Sequence, residues 1–97
     1  MTVLIDRPTW PGHGRLWSHL ASDTSYEELH AFVAVELGIP RRAFQGDHYD
    51  VPEDLYDVAV SAGAQPVECR ELLSRLLRAG LRVRKPRPTS PPGRAAG

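Results

Sequence analysis

Histidine and aspartate side chains are concentrated in the first half of the chain, between Asp6 and Asp50. Imidazole and carboxylate groups together suit Zn²⁺, Mn²⁺ or Fe²⁺, and a bound metal can polarise a phosphoryl oxygen or activate water. The sequence contains neither HxH nor HExxH, so the ligands would have to converge through the fold. The sequence does not identify a cofactor; a divalent metal is a candidate, and its candidate ligands are Asp6, His19, His48 and Asp50.

The same cluster has two other interpretations. Without a metal, a His–Asp pair can act as a general acid or base, and the candidate catalytic residues are His19, His48 and Asp50. In a purely structural interpretation, Asp23 caps the first helix, His30 lies at the rim of an apolar stripe, and His48 bonds to a backbone carbonyl. The sequence leaves the three interpretations open.

Arginine side chains are candidates to bind a phosphorylated ligand, because a guanidinium can hold phosphate with two hydrogen bonds. Arg41 and Arg42 form one candidate pair. Arg70 is the stronger candidate, since it lies where a predicted strand meets a helix N-terminus with its backbone N–H groups. Ion pairing of Arg70 with one of the acidic side chains is an equal alternative.

Two tryptophans and the single cysteine also have a chemical and a structural interpretation. Trp10 and Trp17 flank a stretch rich in proline and glycine, where they could stack on a base or hold the loop against the core. Cys69 lies before a helix, a position that can lower a thiol pKa and favour nucleophilic catalysis. Burial as a small apolar side chain is the alternative for Cys69.

The charges are distributed unevenly along the 97 residues, which suffice for one domain. Residues 1–69 contain four arginines and eleven acidic side chains, whereas residues 70–97 contain eight basic side chains and one glutamate. The basic C-terminal end could bind nucleic acid, or it could dock on the acidic part of the same chain.

Turn and capping signals divide the chain into alternating strands and helices. The predicted strands are residues 2–6, 48–51, 65–68 and, as a fourth, 81–84. Helices are predicted between the capping segment 22–25 and Gly38, between Pro52 and Gly63, and between Arg70 and Gly80. Prolines and glycines in residues 7–20 predict a long loop.

This order of elements predicts an α/β domain. We expect a small parallel sheet of three strands, or of four if residues 81–84 pair, packed with three helices in two or three layers. Residues 1–84 would form this single domain. Residues 85–97 would form a disordered, basic, proline-rich tail.

A parallel sheet would also locate the site, because its ligands bind beyond the carboxyl ends of the strands. The sequence has Asp6 at the first of these ends, His48 and Asp50 at the second, and Cys69 with Arg70 at the third. The predicted loop 7–20 would leave the first strand on the same side.

Three segments carry a resemblance to a known family: WSHLASDTSYEELHAF at 17–32, PRRAFQGDHYDVPE at 40–53 and AGAQPVECREL at 62–72. They resemble domain-of-unknown-function family 4031 of bacteria and phages, over nearly all of residues 1–84. The resemblance implies no established activity. The positions it implies are Asp6, His19, Ser22, Asp23, His30, His48, Tyr49, Asp50 and Arg70. Within this set, Tyr49 joins Arg70 as a candidate cofactor-binding residue.

Two functions are consistent with these observations. The first is a small domain whose polar pocket binds a metal or a small phosphorylated ligand, and hydrolysis is a candidate reaction. The alternative is a non-enzymatic interaction module that forms a homodimer through the leucine-rich third helix, or binds protein or nucleic acid. The N-terminus lacks the pattern of a signal peptide, and no apolar run approaches the ~20 residues of a membrane span. We therefore expect a cytoplasmic protein with no membrane partner.

Overall fold

The computed structural model describes residues 2–83, and a mixed β-sheet of five strands lies at its centre. The strands are β1 (Val3–Ile5), β2 (Trp10–Gly12), β3 (Arg15–Ser22), β4 (Tyr49–Pro52) and β5 (Gln65–Pro66). The helices are α1 (Tyr26–Phe32), α2 (Tyr56–Ser61) and α3 (Cys69–Arg78). A π-helical turn (Val33–Leu37) extends α1, and short 3-10 turns precede β4 (Arg41–Ala43) and α2 (Glu53–Leu55).

Strand β3 organises the sheet, because it pairs along both of its edges. One edge pairs antiparallel with β2 and then with β1, and the other edge pairs antiparallel with β4. Strand β5 pairs parallel with β1. The fold is therefore α/β with three helices, as predicted, but the prediction of a parallel sheet of three strands was wrong. Within residues 2–83, β1 and β5 form the one parallel pair.

The error arose in the segment predicted as a long loop. Residues 10–22 instead form the β2–β3 hairpin, whose turn residues His13 and Gly14 both have positive φ, 51° and 76°. Two adjacent residues with positive φ are typical of the two-residue hairpin turns whose twist matches that of the paired strands. Pro11 does not prevent pairing, because β2 is an edge strand, where a missing N–H is tolerated.

The predicted ends of the first and third helices are largely confirmed, whereas Pro52, predicted to open the second helix, is the last residue of β4. Ser25 is the N-cap of α1, and its hydroxyl accepts a hydrogen bond from the backbone N–H of Glu28. Gly38 takes the left-handed conformation after the π-helical turn. After α3, Gly80 also has positive φ, and the N–H of Leu81 bonds to the carbonyl of Leu76, which closes the helix end.

The helices cover the sheet on both faces, so the packing has three layers. One face of the sheet packs against α1, its π-helical extension and α2. This cluster contains Leu29, Val33 and Ala59 of the helices with Leu20 and Val51 of the sheet. On the other face, α3 packs over the sheet through leucines that lie in the core. This second cluster contains Leu4, Ala21, Leu72 and Leu76. Leu72 and Leu76 of the leucine-rich helix therefore pack within the chain, and a homodimer through α3 stays a prediction.

The segment after α3 also differs from its prediction. Residues 81–83 form no strand, and the N–H of Val83 donates to the Asp47 carboxylate at 2.8 Å. The predicted tail, residues 85–97, lies outside the described residues. Within residues 2–83, no helix is both long enough and apolar enough to cross a bilayer.

Candidate functional site

A cavity of about 860 Å³ lies on the face of the sheet that α3 covers in part. The hairpin and β4 contribute Trp10, His19 and Asp50 to its wall, and α3 contributes Leu72 and Leu76. Because side chains alternate across a strand, the polar residues of β3 and β4 on this face lie opposite the main core. The cavity therefore combines charged groups from the sheet with an apolar wall from the helix.

His19 projects from β3 and is held by a carboxylate at the end of β1. Asp6 is only 2% exposed, and its Oδ1 accepts the backbone N–H of His19 at 2.6 Å. Its Oδ2 lies 2.6 Å from His19 Nδ1. This pair of contacts sets the orientation of the ring and leaves Nε2 as the nitrogen for a ligand.

His48 has the same kind of support from a different part of the chain. Its Nδ1 is 2.7 Å from Oδ1 of Asp47, which is also 2% exposed. The other oxygen of Asp47 accepts from Arg82 at 3.2 Å and from the N–H of Val83. The segment after α3 therefore holds Asp47, and Asp47 holds the imidazole of His48.

The charges around His48 alter two pKa values. Burial by itself lowers the pKa of His48, but hydrogen bonds to Asp50 and Asp47 outweigh it and raise the pKa. Burial by itself raises the pKa of Asp47, but the hydrogen bonds from His48 and Val83 and the charge of Arg82 lower it overall. Without a metal, these contacts favour an imidazolium between carboxylates.

Three of the four predicted metal ligands converge on one point. One potential ligand atom from each of His19, His48 and Asp50 lies within 4.8 Å of the other two. The two imidazole rings are 5.1 Å apart at an angle of 75°, and His48 Nε2 is 3.3 Å from Asp50 Oδ1. Asp50 is 46% exposed at its side chain, so this point is open to solvent. Asp6, the fourth predicted ligand, bonds to His19 through both carboxylate oxygens.

Asp6, His19 and Cys69 form a second, overlapping group with donor atoms within 4.8 Å. Burial and the adjacent Asp6 carboxylate raise the pKa of the Cys69 thiol. A reactive cysteine needs a lowered pKa, so this environment does not favour a thiolate nucleophile. Both oxygens of Asp6 already accept hydrogen bonds from His19, which makes it a supporting carboxylate.

The two predicted cofactor-binding residues do not reach the cavity. Tyr49 is buried in the main core on the opposite face of β4, where its hydroxyl is 2.7 Å from His30 Nδ1. Burial raises the pKa of Tyr49. Arg70 is exposed on α3 and does not line the cavity, because it lies on a different side of the helix from Leu72 and Leu76.

The structural interpretations were wrong at two positions. Asp23 does not cap α1; its carboxylate accepts from the N–H of Thr2 at 3.1 Å and from Arg75 at 2.6 Å. His48 bonds to carboxylates, and not to a backbone carbonyl. His30 packs against Phe44 at the edge of the core, and burial followed by the charge of Arg41 lowers its pKa.

Sequence reasoning gave Asp47 no role, although it directly precedes His48. An aspartate beside a histidine is an ordinary pattern, and only the contact with residues 82 and 83 shows that this carboxylate is buried and held. Arg82 was predicted only as part of the basic end and of the fourth strand, and not as a residue of the site. It is the one arginine or lysine within residues 2–83 that lines the cavity.

The fold and the site define a small α/β domain with a histidine–carboxylate cluster in an open cavity. A family model described as "Protein of unknown function (DUF4031)" matches residues 3–79. The match spans most of the 97 residues, so the chain belongs to this family. No curated protein and no solved structure gives a significant match to the chain.

Proposed function

We propose that the domain binds one divalent metal ion through His19, His48 and Asp50 and uses it to hydrolyse a phosphate ester. One observation carries the proposal: each imidazole has its Nδ1 bonded to a carboxylate that is 2% exposed. A metal-ligating histidine typically has such a partner, which sets its tautomer and its ring orientation. His19 and His48 each have a separate buried carboxylate of this kind, and their ring centroids are 5.1 Å apart. The site therefore contains this arrangement twice.

Two nitrogens and one oxygen suit Zn²⁺, Mn²⁺ or Fe²⁺. Three protein ligands leave coordination positions for water and substrate, as in catalytic zinc sites. The metal would polarise a phosphoryl oxygen and lower the pKa of bound water. Hydrolysis would form a bond from a water oxygen to phosphorus and break the ester P–O bond, and a proton of that water would pass to the leaving alcohol.

A metal-free mechanism has less support. The carboxylates around His48 raise its pKa, so a smaller fraction of the metal-free imidazole is in the neutral form that a general base needs. The cysteine mechanism is disfavoured by the raised pKa of Cys69. The metal proposal uses both histidines and both buried carboxylates.

Titration of metal-depleted protein with Co²⁺, followed by absorption spectroscopy and calorimetry, tests the binding step. We expect one ion per chain and loss of binding in His48→Gln and Asp50→Asn. His13→Asn is a matched control, because His13 lines the cavity outside the proposed ligand set. Asn tolerates the positive φ of this position.

Hydrolysis of p-nitrophenyl phosphate by the Zn²⁺- and Mn²⁺-loaded protein tests the reaction. We expect turnover that chelator abolishes and that Asp50→Asn lacks while its circular dichroism spectrum is unchanged. Failure to bind an ion, or binding that survives both His48→Gln and Asp50→Asn, would overturn the proposal.

A further inference from the structure

We infer that the phosphorylated ligand is a 5′-nucleotide whose base stacks on Trp10 while its phosphate reaches the His19–His48–Asp50 centre. This inference rests on the proposed function and names its substrate class. Trp10 lines the cavity, and its ring centroid is 5.0 Å from that of His19. The indole is therefore in direct contact with a proposed metal ligand.

The two tryptophans of the hairpin have different roles. Trp17 donates its indole N–H to the carbonyl of Gly12 at 2.8 Å, so it holds the hairpin together. Trp10 is its cross-strand partner and remains 52% exposed. Folding therefore leaves about half of this large aromatic surface in water at the edge of a cavity, where it can contact a flat ring.

The cavity has the size and the apolar wall that a nucleotide needs. Its volume of about 860 Å³ lies within the range of small-molecule sites. Leu73 of α3 lines it and is partly exposed, and this apolar side chain suits the ring of a base better than a second charged group. Leu72 and Leu76 lie behind it in the core. A mononucleotide joins its base to its phosphate through one sugar, and Trp10 is separated from His48 by one imidazole ring.

The charges at the cavity make phosphate binding dependent on the metal. Asp47 and Asp50 line the cavity, and Asp6 lies behind His19. Arg82 lines it too, but its guanidinium is bonded to Asp47. A divalent cation at the His19–His48–Asp50 centre would add positive charge beside these carboxylates and so favour a phosphate dianion there. A nucleotide should therefore bind through base stacking and metal coordination together.

Calorimetric titration of the Mn²⁺-loaded protein with adenosine 5′-monophosphate tests the inference. Two comparison ligands are titrated in the same way: ribose 5-phosphate, which lacks the base, and adenosine, which lacks the phosphate. We expect the complete nucleotide to bind roughly 5- to 150-fold tighter than ribose 5-phosphate, the contribution of one stacked base. Removing Mn²⁺ should abolish binding of the nucleotide.

Trp10→Ala should reduce the affinity for the nucleotide to that for ribose 5-phosphate, while Trp10→Phe keeps most of it. The nucleotide could be free or could be the 5′ end of a nucleic acid strand. A single-stranded trinucleotide with a 5′-phosphate distinguishes these two ligands, because tighter binding than that of the mononucleotide would assign the site to a strand end. Equal affinity for the nucleotide and ribose 5-phosphate, with one Mn²⁺ still bound per chain, would overturn the inference alone. Absence of bound metal would overturn the proposed function itself.

Discussion

Buried carboxylates are the unusual residues of this domain. Asp6 and Asp47 are each 2% exposed, and an ionised group in such a position is costly unless charges or hydrogen bonds compensate it. Both direct an oxygen at the Nδ1 of a histidine, at 2.6 and 2.7 Å. Selection for stability alone would be met more simply by apolar side chains, so we interpret the two carboxylates as orienting groups for His19 and His48.

This interpretation gives a prediction for the supporting carboxylates. Asp47→Asn and Asp6→Asn keep the shape of the side chain but remove its charge, so each should weaken metal binding by roughly 10- to 100-fold. Calorimetric titration with Zn²⁺ measures the change. Asp54→Asn is the matched control, because Asp54 lies on the surface in an ion pair with Arg15. Equal affinity in the two supporting variants and the control would contradict the role.

Asp23 gives a prediction for acid stability. Burial by itself raises its pKa, but hydrogen bonds from Arg75, Thr24 and Thr2 lower it overall. A lowered folded-state pKa contributes stability above the unfolded value of about 3.9, and this stability is lost as the pH falls through the lower folded value. Urea unfolding between pH 6 and pH 2.5 should therefore show a smaller loss of stability in Asp23→Asn. An acid profile identical to that of the unchanged protein would count against the contribution.

At the scale of elements, α3 determines where the cavity begins. Its leucines pack on Leu4 and Ala21 and reach the cavity wall, and the β2–β3 hairpin contributes Trp10 and Trp17 to the same cavity. One helix therefore supplies both a core layer and a binding surface. Its C-terminal closure at Gly80 and Leu81 also brings Arg82 and Val83 to Asp47.

Two neighbouring leucines of α3 test which side of the helix packs in the core. Leu76 is buried at 1% exposure, whereas Leu77 is 54% exposed. Leu76→Ala should lower the free energy of unfolding by about 2–5 kcal/mol, and Leu77→Ala should change it by no more than about 0.5 kcal/mol. Urea denaturation of the two variants measures the difference. Similar losses in both would show that the helix packs through another side.

Local sequence patterns predicted the helices of this domain but not its hairpin. Capping residues, glycines after helix ends and apolar spacing predicted all three helices, because these signals act within a few residues. The hairpin was predicted as a loop, because Pro8, Pro11, Gly12 and Gly14 normally interrupt strands. In the structure Pro11 lies on an edge strand and Gly14 in the turn, so pairing with β3 is compatible with both.

At the scale of the whole molecule, the proposed centre connects separate parts of the sheet. His19 comes from β3 and Asp50 from β4, and His48 directly precedes β4. The carboxylate that supports His19 follows β1, and the one that supports His48 lies in the segment before β4. A small domain buries little surface, so its margin of stability is narrow. A ligand that is bound by several elements at once should therefore change its stability measurably.

We expect metal to raise the melting temperature. An ion at 100 times its dissociation constant contributes about 2.7 kcal/mol. For a domain of this size, that corresponds to a rise of roughly 10–20 °C. Differential scanning calorimetry with and without Zn²⁺ measures the shift, and His48→Gln should melt at the same temperature in both conditions. A rise of equal size in His48→Gln would locate the ion elsewhere.

The sequence by itself determined the helices, the α/β class, the family, and the histidines and aspartates worth considering, because residue type, local spacing and motif carry this information. Only the tertiary structure decided which of them meet. Strand direction, the faces of β3 and β4, and the contact of residues 82 and 83 with Asp47 depend on pairing between distant segments. They bring His19, His48 and Asp50 together, turn Tyr49 into the core and leave Arg70 outside the cavity.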